Sequence, residues 1–100
     1  MGEVKILVLE SSTTSAKAMV YSSVHGALCM KAKAYKGVGE DITKHDARAV
    51  FEQTMALGKE IASGHSIDAI ALSGTWHSVM LAEMDGTPVT PVCLWSNTEA

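Results

Sequence analysis

From Val4 to Leu9 the chain is a continuous β-rich run, the pattern of a strand covered on both faces. A polar stretch, Glu10 to Ser15, breaks it, and a second strand is expected over Lys17 to Ser22. Val24-His25-Gly26 supplies a glycine turn, and Ala27 to Tyr35 reads as a third strand, so the first third of the chain predicts an antiparallel meander. Gly37-Val38-Gly39 is a loop. Beyond it the period changes: Ala47, Val50, Phe51, Thr54, Leu57, Gly58 and Ile61 recur at helical spacing, with Thr43 or Asp46 as cap and Ser63-Gly64 as stop. Lys44, Arg48, Glu52 and Lys59 occupy much of the opposite side. The stripe faces a sheet, which makes Phe51 and Leu57 core residues. Ile67 to Leu72 is a fourth strand reaching Ser73-Gly74, and Ser78 to Met84 with Val89 to Leu94 read as a hairpin around Asp85-Gly86-Thr87-Pro88. The order is βββαβ plus an extra β-hairpin, an α/β chain without internal repeats.

One hundred residues make at most one small domain, and 47% hydrophobic against 19% charged residues marks an ordered globular segment. A net charge of −3 lacks the basic stripe that nucleic acid would need, so no nucleic-acid partner is expected. Lys31, Lys33 and Lys36 form the densest basic patch, and one solvated strand face accounts for it. The apolar run near the N-terminus is too short to span a membrane or serve as a signal core. Cys29 and Cys93 lie far apart in apolar surroundings without a C-x-x-C, as buried free thiols of a reducing cytoplasm do. No His and Cys group has the spacing of a structural zinc site.

The break between the first two strands carries chemistry. Ser12, Thr13 and Thr14 offer hydroxyls and backbone N–H groups to phosphoryl oxygens, Lys17 adds positive charge, and Glu10 could hold a magnesium ion through water. The segment is no P-loop, since a strand and not a helix follows and G-x-x-x-x-G-K-[ST] is absent. Read alone, it is an ordinary solvated turn. Near the C-terminus stand Trp76, His77 and Trp95. Read alone, they are core aromatics and a satisfied histidine.

Two segments together resemble the FGGY family of carbohydrate kinases. Glu10-Ser11-Ser12-Thr13-Thr14-Ser15-Ala16-Lys17 takes the place of the family's opening D-x-G-T-[TS]-x-x-K/R. Leu72-Ser73-Gly74-Thr75-Trp76-His77-Ser78 takes that of I-S-G-Q-M-H-G, followed by the Asp85-Gly86-Thr87-Pro88 turn and Leu94-Trp95-Ser96-Asn97-Thr98-Glu99 for L-W-x-D-x-R. The Trp-His-Ser version is closer to gluconate kinases than to xylulose kinases. The resemblance runs in register over nearly the whole chain. It implies a ribonuclease-H-like (actin-like ATPase) partial domain, residues 1–100 being the incomplete N-terminal part of a kinase N-terminal domain.

The implied activity is transfer of the ATP γ-phosphate, with Mg2+, to a hydroxyl of a sugar, polyol or sugar acid. Ser12, Thr13, Thr14 and Lys17 would border the ATP phosphates, and Glu10 would stand at the metal. Trp76, His77, Trp95 and Asn97 would line the sugar, and the catalytic base is expected downstream of this segment. Four positions depart from the family: Glu10 for aspartate, which moves the carboxylate by about 1.5 Å, Ser12 for the turn glycine, and Asn97 and Glu99 for aspartate and arginine. They motivate the alternative, a degenerate, non-catalytic module that binds a carbohydrate or a partner protein. A Ser–His hydrolase using Ser73 or Ser78 with His77 lacks the G-x-S-x-G elbow. The expected location is cytoplasmic, with no membrane partner, and a homo-oligomer is left open.

Overall fold

The computed structural model describes residues 2–39, 44–74 and 80–94. Its centre is a four-stranded sheet in the order β3-β2-β1-β5, built from β1 (Lys5–Ser11), β2 (Ser15–Ser22), β3 (Gly26–Ala34) and β5 (Ala69–Ser73). The first three strands are the antiparallel meander expected from their short intervening turns, Leu9 pairing with Ala18 and Ala18 with Lys31. β5 returns parallel to β1, Ile6 opposite Ala69 and Glu10 opposite Ser73, after the crossover helix α1 (Ala47–Ala62). A parallel neighbour requires such a crossover, and the 16-residue helix supplies it.

Strand periodicity divides the sheet into two faces. Leu7 and Leu9 of β1 join Ala16, Ala18 and Val20 of β2 and Leu57 of α1 in one buried cluster. The leucine and valine side chains contribute about 1.5–3 kcal/mol each when fully covered. Gly58 lets the helix settle onto β1: a Cβ there would come within 2.7 Å of Leu9 Cδ2. Ser22, at the end of the same buried row, is satisfied by its hydroxyl, which donates to Glu3 and accepts from the Val24 and His25 amides. Asp46 caps the helix, its carboxylate accepting from the Ala49 amide at 3.1 Å. Ser63 ends it, and Gly64 takes a φ of +83°, the left-handed turn that glycine allows without strain.

Several expectations are corrected. β1 is covered on the helix side only, with Ile6 and Val8 half-buried on the other. Phe51 is 64% exposed and not in the core, because α1 lies over β1 and β2 and leaves the flank above β5 open. There Phe51, Ile70 and Leu72 line an apolar groove, and Leu72 is 79% exposed. The terminal hairpin is reduced to a single bridge, Ala82 with Pro88, around the turn where the Glu83 amide donates to the Thr87 carbonyl. Val92–Cys93 (β6) instead pairs with Lys44–His45 (β4), Lys44 opposite Cys93. Cys29 and Cys93 are free, as expected, but half-buried. Ser78 and Val79 of the expected hairpin and the alternative cap Thr43 lie outside the described residues.

Candidate functional site

Antiparallel and parallel pairing together bring one end of the sheet to a focus. The carboxyl ends of β1, β3 and β5 and the amino end of β2 meet there, and open α/β sheets take ligands outside the carboxyl ends of their strands. Glu10 lies at the centre of this end, flanked by Lys17 across the antiparallel ladder and by Ser73 across the parallel one. Glu10 is half-buried and Lys17 exposed, both on the face away from α1, since Leu9, Ser11, Ala16 and Ala18 take the alternate positions.

The link between the strands is a tight polar turn. The Ser12 amide donates to the Ser15 carbonyl at 2.9 Å, and the Ser12 hydroxyl donates to the same carbonyl at 2.9 Å. The Ser12 hydroxyl is thereby engaged within the turn, 3.2 Å from that of Ser15. Thr13 and Thr14 form its exposed tip. An exposed tip carrying two hydroxyls, with a cation two positions into the next strand, can meet an anion.

Beneath the turn, on the helix side, lies a polar group that sequence reasoning missed. His45 is 6% exposed, and its ring meets that of Tyr35 edge-on, with centroids 5.5 Å apart. Burial lowers the imidazole's pKa, opposed by a hydrogen bond with the Thr13 backbone. The Tyr35 hydroxyl is buried with no close hydrogen-bond partner among the described residues. Burial raises its pKa, while the Thr54 and Ser11 hydroxyls pull the other way and the Glu10 charge adds to the rise. Thr54 itself donates to the Val50 carbonyl at 2.8 Å, leaving its oxygen free to accept. A lone tyrosine at a strand end and a lone histidine beside a cap give no periodic or motif signal.

Of the residues singled out from the sequence, Glu10, Ser12, Thr13, Thr14 and Lys17 are thus brought together. Trp76, His77, Trp95 and Asn97, with Glu99, lie outside the described residues. Ser73, the last residue of β5, stands directly beside Glu10. Among the described residues no three His, Cys, Asp or Glu side chains gather as a metal cluster. Magnesium needs no such cage, since it keeps several waters and takes one or two carboxylates together with phosphate oxygens. Glu10 fits that sparse demand. No helix of the described residues is long and apolar enough to cross a membrane.

No protein-family model and no curated protein sequence matches the chain. Solved structures do. Gluconate kinase from Lactobacillus acidophilus is similar over 94% of this chain with a TM-score of 0.78 at 19% identity. Ligand-bound xylulose kinase from the same organism is similar over 91%, with a TM-score of 0.76 at 20% identity. Plasmodium falciparum glycerol kinase with ADP is similar over 95%, with a TM-score of 0.73 at 17% identity. At such identities the likeness is one of fold: the chain folds as a segment of FGGY-type sugar kinases does. It spans about a fifth of the length of these structures, 20%, 19% and 21% respectively.

Proposed function

We propose that the chain is the N-terminal segment of an ATP-dependent carbohydrate kinase, part of a ribonuclease-H-like domain that grips the nucleotide's phosphates beside the sugar. The observation that carries this reading is the register at Glu10, which has Lys17 on one side and the end of β5 on the other. Phosphoryl transfer asks the protein for positioning and charge neutralisation more than for covalent chemistry. Thr13 and Thr14 would donate to phosphoryl oxygens, Ser12 would hold their turn closed, and Lys17 would offset negative charge. Glu10 would hold Mg2+ through water, and the ion would supply the remaining neutralisation. Trp76, His77, Trp95 and Asn97 would face a sugar, polyol or sugar acid, the substrate classes of the kinases that share the fold. The base that deprotonates the accepting hydroxyl is assigned to none of these hundred residues. We place the activity in the cytoplasm, where ATP is available.

The test is ATP turnover by the complete kinase chain of which this segment would be part, with magnesium, across a panel that includes gluconate, xylulose and glycerol. Phosphorylation of any of these, lost in Lys17→Ala, supports the reading. Sugar binding without nucleotide binding or turnover would replace it with the non-catalytic alternative.

A further inference from the structure

We propose that His45 and Tyr35 are positioning residues, a buried brace that fixes the Ser12–Ser15 turn from beneath; its consequence for phosphate binding rests on the nucleotide reading above. The turn has little to hold it from outside, because Thr13 and Thr14 are exposed and its internal bonds run only between Ser12 and Ser15. Two further ties reach it from the helix side. The Tyr35 amide donates to the Thr14 carbonyl at 3.1 Å, and the buried His45 ring, packed edge-on against the Tyr35 ring, abuts the Thr13 backbone. Successive residues of the tip thus meet the two members of one aromatic pair, Thr14 through the Tyr35 main chain and Thr13 through the His45 ring.

The brace is itself anchored. His45 pairs with Val92 in the β4–β6 ladder, and the next residue, Asp46, donates its amide to the Val38 carbonyl at 2.8 Å and caps α1. Its backbone is therefore fixed from two other elements, and its ring packs edge-on against that of Tyr35. The pair joins α1 and the small sheet to the exposed tip of the turn. A site held to a fraction of an ångström by such supporting groups binds better than one left to sample. The alternative role is that of a core histidine whose loss loosens the whole fold evenly, and the two roles give different signatures.

Amide hydrogen exchange of the full chain separates them. The Ser12 and Tyr35 amides report the turn, since both donate the bonds that close it, and the Leu7 and Val20 amides report the sheet. His45→Ala is expected to speed exchange at Ser12 and Tyr35 by about tenfold more than at Leu7 and Val20, the scale of one lost hydrogen bond. His45→Gln or His45→Asn, whose amide N–H stands in for one ring N–H or the other, should restore protection. In titration with magnesium-ATP, His45→Ala is expected to bind about tenfold more weakly, in step with the exchange. Equal acceleration at all four amides, or none at Ser12 and Tyr35, would overturn the brace. Should the unsubstituted chain fail to bind magnesium-ATP, the nucleotide reading falls, while the exchange comparison still decides the brace.

Discussion

Glu10 and Lys17 stand directly opposite each other across the β1–β2 ladder, on the sheet face that α1 does not cover. No hydrogen bond or ion pair joins them among the described residues, so the exposed ammonium is available to a second anion.

Lys17→Ala should therefore weaken magnesium-ATP binding by about tenfold or more, a loss of about 1.4 kcal/mol. Its thermal stability should stay within about 0.5 kcal/mol of the parent, as for other exposed substitutions. Calorimetric titration beside a melting curve checks both. Unchanged affinity would remove the phosphate assignment.

What could be read in advance follows the range of the interactions involved. The meander, α1 and its Asp46 cap, and β5 are written in alternation, helical period and local cap chemistry, all within a few residues. The pairing of His45 with Val92 spans about half of the chain and involves two residues a side, too few to leave a period. Phe51 and Leu72 are apolar at the right spacing, yet periodicity names the inward side of an element without naming what covers it. In the site, the hydroxyl-rich turn and Lys17 are legible because they are contiguous. Tyr35 and His45 reach that turn from other elements, and only tertiary packing assembles them.

Gly58 offers a test of how closely α1 and β1 are fitted. A Cβ at this position meets Leu9 Cδ2 at 2.7 Å, and Leu9 is 2% exposed, so its branch has little room to swing aside. Gly58→Ala gains up to about 1 kcal/mol of helix propensity and loses a comparable amount to overpacking, a near balance. Gly58→Val adds bulk and loses most of the propensity gain, and should destabilise by about 2–3 kcal/mol. Urea unfolding of the two variants should rank them in that order; equal midpoints would mean that the helix shifts freely on the sheet.

Tyr35→Phe separates the ring from its hydroxyl. The hydroxyl is buried without a close partner among the described residues, so deleting it leaves no strong bond unmade and relieves a desolvated group. The phenyl ring keeps the edge-on contact with His45. Stability should hold or rise by up to about 1 kcal/mol, and the Ser12 amide should keep its protection. A marked loss of stability in Tyr35→Phe would mean that the hydroxyl does bond strongly to Ser11 or Thr54.

His45 gives the fold a dependence on pH whose sign follows from its surroundings. Burial is the larger influence and lowers its pKa below the ordinary 6.5, against the hydrogen bond with the Thr13 backbone. The unfolded chain then takes up a proton at this position more readily than the folded chain. Linkage makes stability rise with pH wherever that holds. The contribution is complete above about 6.5 and is lost as the pH falls through the lower value in the folded state. Glu60, bonded to Lys31, and Asp85, bonded to the Thr87 amide, are also lowered, but from 4.5 and 3.8, so their losses come at more acid pH. Urea midpoints measured between pH 7 and pH 5 should therefore fall for the parent chain and fall less for His45→Gln, which has no proton to gain. Parallel lines for the two proteins would show that His45 titrates alike in the folded and unfolded chains.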